Sequence, residues 1–224
     1  MTPRHRHIAS ALVVIGSALV AIVALPIGFS TLHFRFFSPK TLIDPTAVGL
    51  YPRPKIINVL GLTTSDYTSP VSWFPSAPID PAATPSSRVR YYTLTIPSLS
   101  LHDIPVEISG SDLTKNAIQF PNTALPSQVG NTVILGHSSL PGLYKKGSPQ
   151  VIFNPLPNIK IGAEVVIKFD GITYRYLVKD TKEVTPDRID VLAPVANRRQ
   201  LTLVTCVPLG TYWRRFIATA YLVN

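Results

Sequence analysis

The chain holds one cysteine among 224 residues. No intrachain disulfide can form, so the fold must rest on its apolar core. Charge is scarce too, at 15% of residues, and nowhere do more than two Lys or Arg residues adjoin. The net charge of +9 is therefore scattered. Without a basic run or interleaved aromatics it describes no nucleic-acid-binding face, and no nucleic-acid partner is expected. Metal-ligand spacing is also missing. Asp103, Glu107 and Asp112 match no strong calcium pattern, so neither a metal nor any other cofactor is expected. No long stretch repeats its apolar residues every 3.6 positions, which excludes a mainly helical domain.

Apolar residues and proline are plentiful, at 46% and 22 residues. Ala9 to Ser30 carry no charge and are long enough to cross a hydrocarbon core of about 30 Å as a helix. Arg4 and Arg6 precede this run with no acid beside them, which orients the N-terminus toward the cytoplasm. A cleaved signal peptide is the alternative. The run is longer than a usual signal core, and phenylalanines rather than a small-x-small site follow it, so a retained anchor is expected. Four segments follow: a basic cytoplasmic tail (1–8), a transmembrane anchor (9–32), a Pro-rich extracellular segment (33–88) and a folded domain (89–224). The Pro-rich segment reads as a stalk, since proline removes donors and favours extended backbone. Asp44-Pro45, Asp80-Pro81 and the exposed-looking Trp73-Phe74 keep a flap over an active site as its functional alternative. The expectation is a single-pass monomer in the cell membrane with its domain outside.

From Val89 onward, short β-type runs alternate with turn residues. Glu164–Phe169 and Ile172–Lys179 flank Asp170-Gly171, the strongest hairpin signal in the chain. Thr132–His137 follows Gly130-Asn131, and further runs fall at Arg90–Ile96, Val106–Ile108, Leu201–Cys206 and Phe216–Val223. Short helical turns are expected near Leu113–Ile118 and Val151–Leu156. Seven or eight strands in about 135 residues imply an all-β barrel or sandwich.

A lone cysteine is either a small buried hydrophobe or a reactive thiol. Cys206 ends an apolar strand, and so does His137, one of two histidines in the folded part. His102 lies in a polar segment and reads as a surface residue. An imidazole beside a thiol can take its proton and later return one to a leaving amine. Arg214 and Arg215 open the last strand, and a guanidinium beside a thiol favours the thiolate and can donate to a developing oxyanion. Period-two alternation sends these two arginines to opposite faces.

These residues carry a resemblance. Leu201-Thr-Leu-Val-Thr-Cys matches the sortase signature T-L-x-T-C, and Gly130-Asn-Thr-Val-Ile-Leu-Gly-His resembles the sortase strand that ends in the catalytic histidine. Arg215-Phe-Ile-Ala-Thr-Ala resembles the family's final strand. Ile159–Ile167 and Val191-Leu-Ala-Pro resemble further family elements, with Ala163 where aspartate is common. The likeness spans about residues 90–224. It implies an eight-stranded sortase-like β-barrel with short helices. It implies a membrane-anchored transpeptidase that cleaves a sorting signal, often LPxTG-like, through a thioacyl enzyme. The partners would be sorting-signal peptides and an amine of a cell-wall precursor or pilin. Cys206 would be the nucleophile, His137 the acid/base, and Arg215, selected by the family's R-x-x-x-x-A spacing, the carbonyl-binding cation. Thr205, Arg214, Val204, Tyr212 and Trp213 are candidate substrate contacts, with Tyr144 a further groove residue. Because the chain runs only to Asn224 after its last strand, a housekeeping or class D/E-like role is expected over pilin polymerisation. Two rivals are a cell-wall L,D-transpeptidase and a membrane-tethered binding module of the same fold. The Thr-Cys-Val-Pro context speaks against the first, and the intact Cys-His-Arg set against the second.

Overall fold

The computed structural model describes residues 67–79 and 88–223, together with Ser17 and Val20. The expected basic tail, nearly all of the expected anchor and most of the Pro-rich segment lie outside the described residues. Among those described, no helix is long and apolar enough to cross a membrane.

Eight strands form a closed barrel: β1 (Tyr91–Ile96), β2 (Leu101–Ile108), β3 (Ala117–Gln119), β4 (Gly130–Leu135), β5 (Glu164–Phe169), β6 (Ile172–Val184), β7 (Arg199–Val207) and β8 (Arg214–Leu222). Their order around the barrel is β1-β2-β3-β4-β7-β8-β6-β5, and β5 pairs with β1 to close it. Closure leaves no sheet edge to template a neighbour. The β5–β6 hairpin turns on Asp170 and Gly171, with φ of 50° and 74°. Positive φ at both positions is what a two-residue turn of matching twist requires, and Gly171 adopts it without steric cost.

Side chains alternate across the barrel wall. On β7, Leu201, Leu203 and Val207 point into the barrel with Phe216, Ala218 and Ala220 of β8. Val204 and Cys206 of β7 and Ile217 of β8 point outward, into a second apolar cluster with Val133, Leu135, Trp73 and Phe74. Two chain-distant pieces complete the outer cluster, the β6–β7 connection through Val191 and the Pro-rich segment through Trp73.

The expected helical turns differ in detail. Residues 113–116 form a hydrogen-bonded turn instead, because Asp112 accepts from the Thr114 backbone and hydroxyl. That local bond offers the backbone an alternative to a helix. Three-residue 3-10 turns fall at Pro149–Val151 and Leu156–Asn158, on either side of the predicted centre. Pro155 and Pro157 remove the donors a longer helix there would need.

Candidate active site

β7 lies between β4 and β8, and this order assembles the site. On one side β7 runs parallel to β4, in a register that ends at Leu135 opposite Val204. Two residues further along each strand stand His137 and Cys206. The Gly136 N–H donates to the Val204 carbonyl at 3.1 Å, so the pairing persists past the end of β4. On the other side β7 runs antiparallel to β8, and Cys206 is the register partner of Arg215. Directly opposed residues share a face. The thiol thus stands opposite a guanidinium on one side, and on the other the chain leaving β4 carries the imidazole.

The outer face holding this trio is covered. Residues 67–79 cross it as a strap, with a 3-10 turn at Pro70–Trp73. Trp73 and Phe74, exposed-looking in sequence, are fully buried. The correction has a plain cause, since their partners lie on β4, β7 and β8 and on Phe120, far away in the chain. The Trp73 carbonyl accepts from Arg215 Nε at 3.2 Å and Nη2 at 3.0 Å. The Trp73 ring meets the His137 ring edge-on at 5.7 Å, and the guanidinium sits 5.4 Å from the same indole. The strap is held at its start as well. Tyr67 stacks on Tyr212 at 3.8 Å, the Thr68 carbonyl accepts from Leu113, and the Trp73 indole donates back to the Tyr67 carbonyl.

Burial then sets the protonation states. Cys206 is 0% exposed, and burial pushes its thiol up to about 12, against the pull of Arg215. Burial also lowers His137, against the field of Asp112. Both shifts favour the uncharged form, so the covered pair is a neutral thiol and a neutral imidazole.

The other predicted contacts separate into two groups. Val204 shares the outer face with Cys206. Tyr212 borders the trio, and its carbonyl accepts from Arg215 Nη1 at 3.0 Å. Thr205 and Arg214 are not brought onto the face. The Thr205 hydroxyl donates to the Gly136 carbonyl at 2.9 Å, and alternation places it with the inward-facing residues of β7. Arg214 points away from Arg215 and pairs with Glu183 of β6 at 3.4 Å. Trp213 is 64% exposed, and Tyr144 is exposed on the 140–148 loop. His102 is exposed on β2, remote in the sheet order from β7.

Sequence reasoning missed Ser138 and Asn154. The Ser138 hydroxyl donates to the Cys206 carbonyl at 2.6 Å. Asn154 accepts from the Ser139 N–H at 2.8 Å and donates to the Ser139 carbonyl at 2.9 Å. No local signal marks either residue; only the position of Ser138 directly after a strand-end histidine hinted at it.

A family model of the sortase domain matches residues 94–223. Sortase A of Bacillus anthracis is 31% identical over 134 residues, which are 58% of this chain and 59% of that protein. The match thus spans about three fifths of this curated relative. A sortase D5 transpeptidase of Clostridium perfringens has a similar structure, with a TM-score of 0.51 at 25% identity over 60% of this chain and 79% of its own. A lid mutant of sortase A from Corynebacterium diphtheriae gives a TM-score of 0.53 at 26% identity, covering 69% of this chain and 78% of its own. With the barrel, the strand order around Cys206 and the match over residues 94–223 in agreement, this chain belongs to the sortase family.

Proposed function

We propose that this protein is a cysteine transpeptidase that cleaves an LPxTG-like sorting signal and passes the acyl group to an amine of a cell-wall precursor or pilin. The observation that carries the reading is the placement of Cys206 on β7 between β4, which leads into His137, and β8, which bears Arg215. His137 takes the thiol proton as Cys206 Sγ attacks the threonine carbonyl carbon. Arg215 donates to the carbonyl oxygen as it gains charge. The C–N bond breaks, His137 protonates the departing amine, and a thioester to Cys206 remains. An incoming amine gives its proton to His137 and attacks the thioester; the C–S bond breaks, and His137 returns the proton to the departing thiolate. The Trp73 carbonyl on Arg215 supports this role, because it stands as a peptide carbonyl would.

In this reading residues 67–79 are a lid. With Trp73 in place the thiol is neutral and shielded, and substrate must displace the indole before attack. Residues 9–32 anchor the chain, and the domain acts on the outer side of the membrane.

Incubation of the full chain with a library of LPxTG-like peptides and a glycine amine tests the reading. The expected products are a ligated peptide and, by intact mass, a covalent acyl adduct absent in Cys206→Ala. His137→Ala and Arg215→Ala should each lower turnover by roughly 10²-fold or more. An adduct that persists in Cys206→Ala would refute the assignment.

A further inference from the structure

β4 ends at Leu135, yet the four residues after it are held as firmly as a strand. Gly136 donates to Val204 and accepts from the Thr205 hydroxyl. The His137 carbonyl accepts from the Phe153 N–H at 3.0 Å. Ser138 reaches Cys206, and Ser139 is bonded through both its N–H and its carbonyl to the Asn154 side chain. Gly136 leaves no room for slack, since a Cβ there would lie 2.5 Å from the Phe153 ring.

Four of these bonds, made by the side chains of Thr205, Ser138 and Asn154, differ in kind from the two backbone ones. Backbone pairing recurs wherever strands adjoin, and it fixes main chain to main chain whatever the residues. The Ser138 hydroxyl instead links the residue after His137 to the carbonyl of Cys206 itself, across 68 positions of sequence. The hydroxyl is buried, where a hydrogen bond holds its geometry without competition from water. Asn154 mimics a missing neighbour strand, because one planar amide satisfies the donor and the acceptor of one residue at once.

We propose that Ser138 and Asn154 are positioning residues that hold the His137 imidazole in register with the Cys206 thiol. The inference rests on the acid/base reading of His137. Proton transfer requires the two groups within hydrogen-bond reach, and displacement of about 1 Å can cost a reaction 10²-fold. Ser138 fixes the spacing from the thiol strand. Asn154 fixes the same segment from the opposite side, through the 152–156 turn. Neither residue needs to touch substrate.

The test is the pH profile of Cys206 alkylation by iodoacetamide in the full chain, with thermal unfolding followed in parallel. The variants are Ser138→Ala, Ser138→Thr, Asn154→Ala, Asn154→Asp and His137→Ala. His137→Ala should lose the imidazole-dependent limb of the profile. Ser138→Ala and Asn154→Ala should shift that limb and slow alkylation at neutral pH on the order of tenfold. Ser138→Thr keeps the hydroxyl and should restore the profile. Asn154→Asp keeps the acceptor for Ser139 N–H but loses the donor, and should fall between. A wild-type profile in Ser138→Ala and Asn154→Ala beside a defective His137→Ala overturns the inference alone. So does a lowered melting temperature with an unshifted profile, which would mark a merely structural role. A wild-type profile in His137→Ala itself removes the acid/base reading, and the inference with it.

Discussion

The two faces of β7 and β8 make an instructive pair. The inward face carries Leu201, Leu203, Val207, Phe216, Ala218 and Ala220, and barrel closure buries it permanently. The outward face carries Val204, Cys206, Arg215 and Ile217, and it is buried just as completely. Its cover differs. The strap bearing Trp73 and Phe74 is tied down by side-chain packing and a few bonds to carbonyls, without any strand pairing to the barrel. Equal burial therefore does not mean equal permanence. The inner face is core, whereas in the proposed reading the outer face is a site under a cover that can open.

Substitutions on the two faces should then diverge. Leu203→Ala, on the inward face, is expected to cost about 2–5 kcal/mol in urea unfolding, through lost burial and an unfilled cavity. A loss below about 1 kcal/mol would mean that the barrel interior is no firmer than the strap. Trp73→Ala should leave most of the unfolding free energy and act on the thiol. A thiol held near 12 is almost wholly protonated at pH 8, and one exposed to water ionises near its ordinary value of about 8.5. Opening the strap lowers that value, so the thiolate fraction rises. Alkylation of Cys206 at pH 8 should accelerate on the order of a hundredfold, with the midpoint of its pH profile moving down from about 12. An unchanged midpoint would show that the strap does not gate the thiol. The smallest effect belongs to Arg214→Ala. Its partly exposed pair with Glu183 is worth under about 1 kcal/mol, and thiol reactivity should not move.

The inner face was largely legible in the sequence, and the outer face only in part. The apolar strand Leu201–Cys206 and the Asp170-Gly171 turn reflect local backbone physics, so they could be read from the residues themselves. The juxtaposition of Cys206 with His137 and Arg215 was expected at one rim, from strand ends and from family resemblance. The structure places these residues on the outer wall, with Cys206 and Arg215 on β7 and β8 and His137 just past the end of β4. Trp73 was misread because burial by a distant surface leaves no periodic trace in a Pro-rich segment. Arg214 was counted with the site although alternation already set it opposite Arg215, and Thr205 came with the family signature; the structure keeps both off that face. Ser138 and Asn154 were invisible because their bonds join residues 68 and 15 positions from their partners.

β8 joins β6 to β7. Its pairing closes the wall and delivers Arg215 beside Cys206 in the same step. A barrel lacking β8 would have two raw edges and a thiol with no cation beside it. Completion of the fold and, in the proposed reading, placement of the cation beside the nucleophile are thus one event.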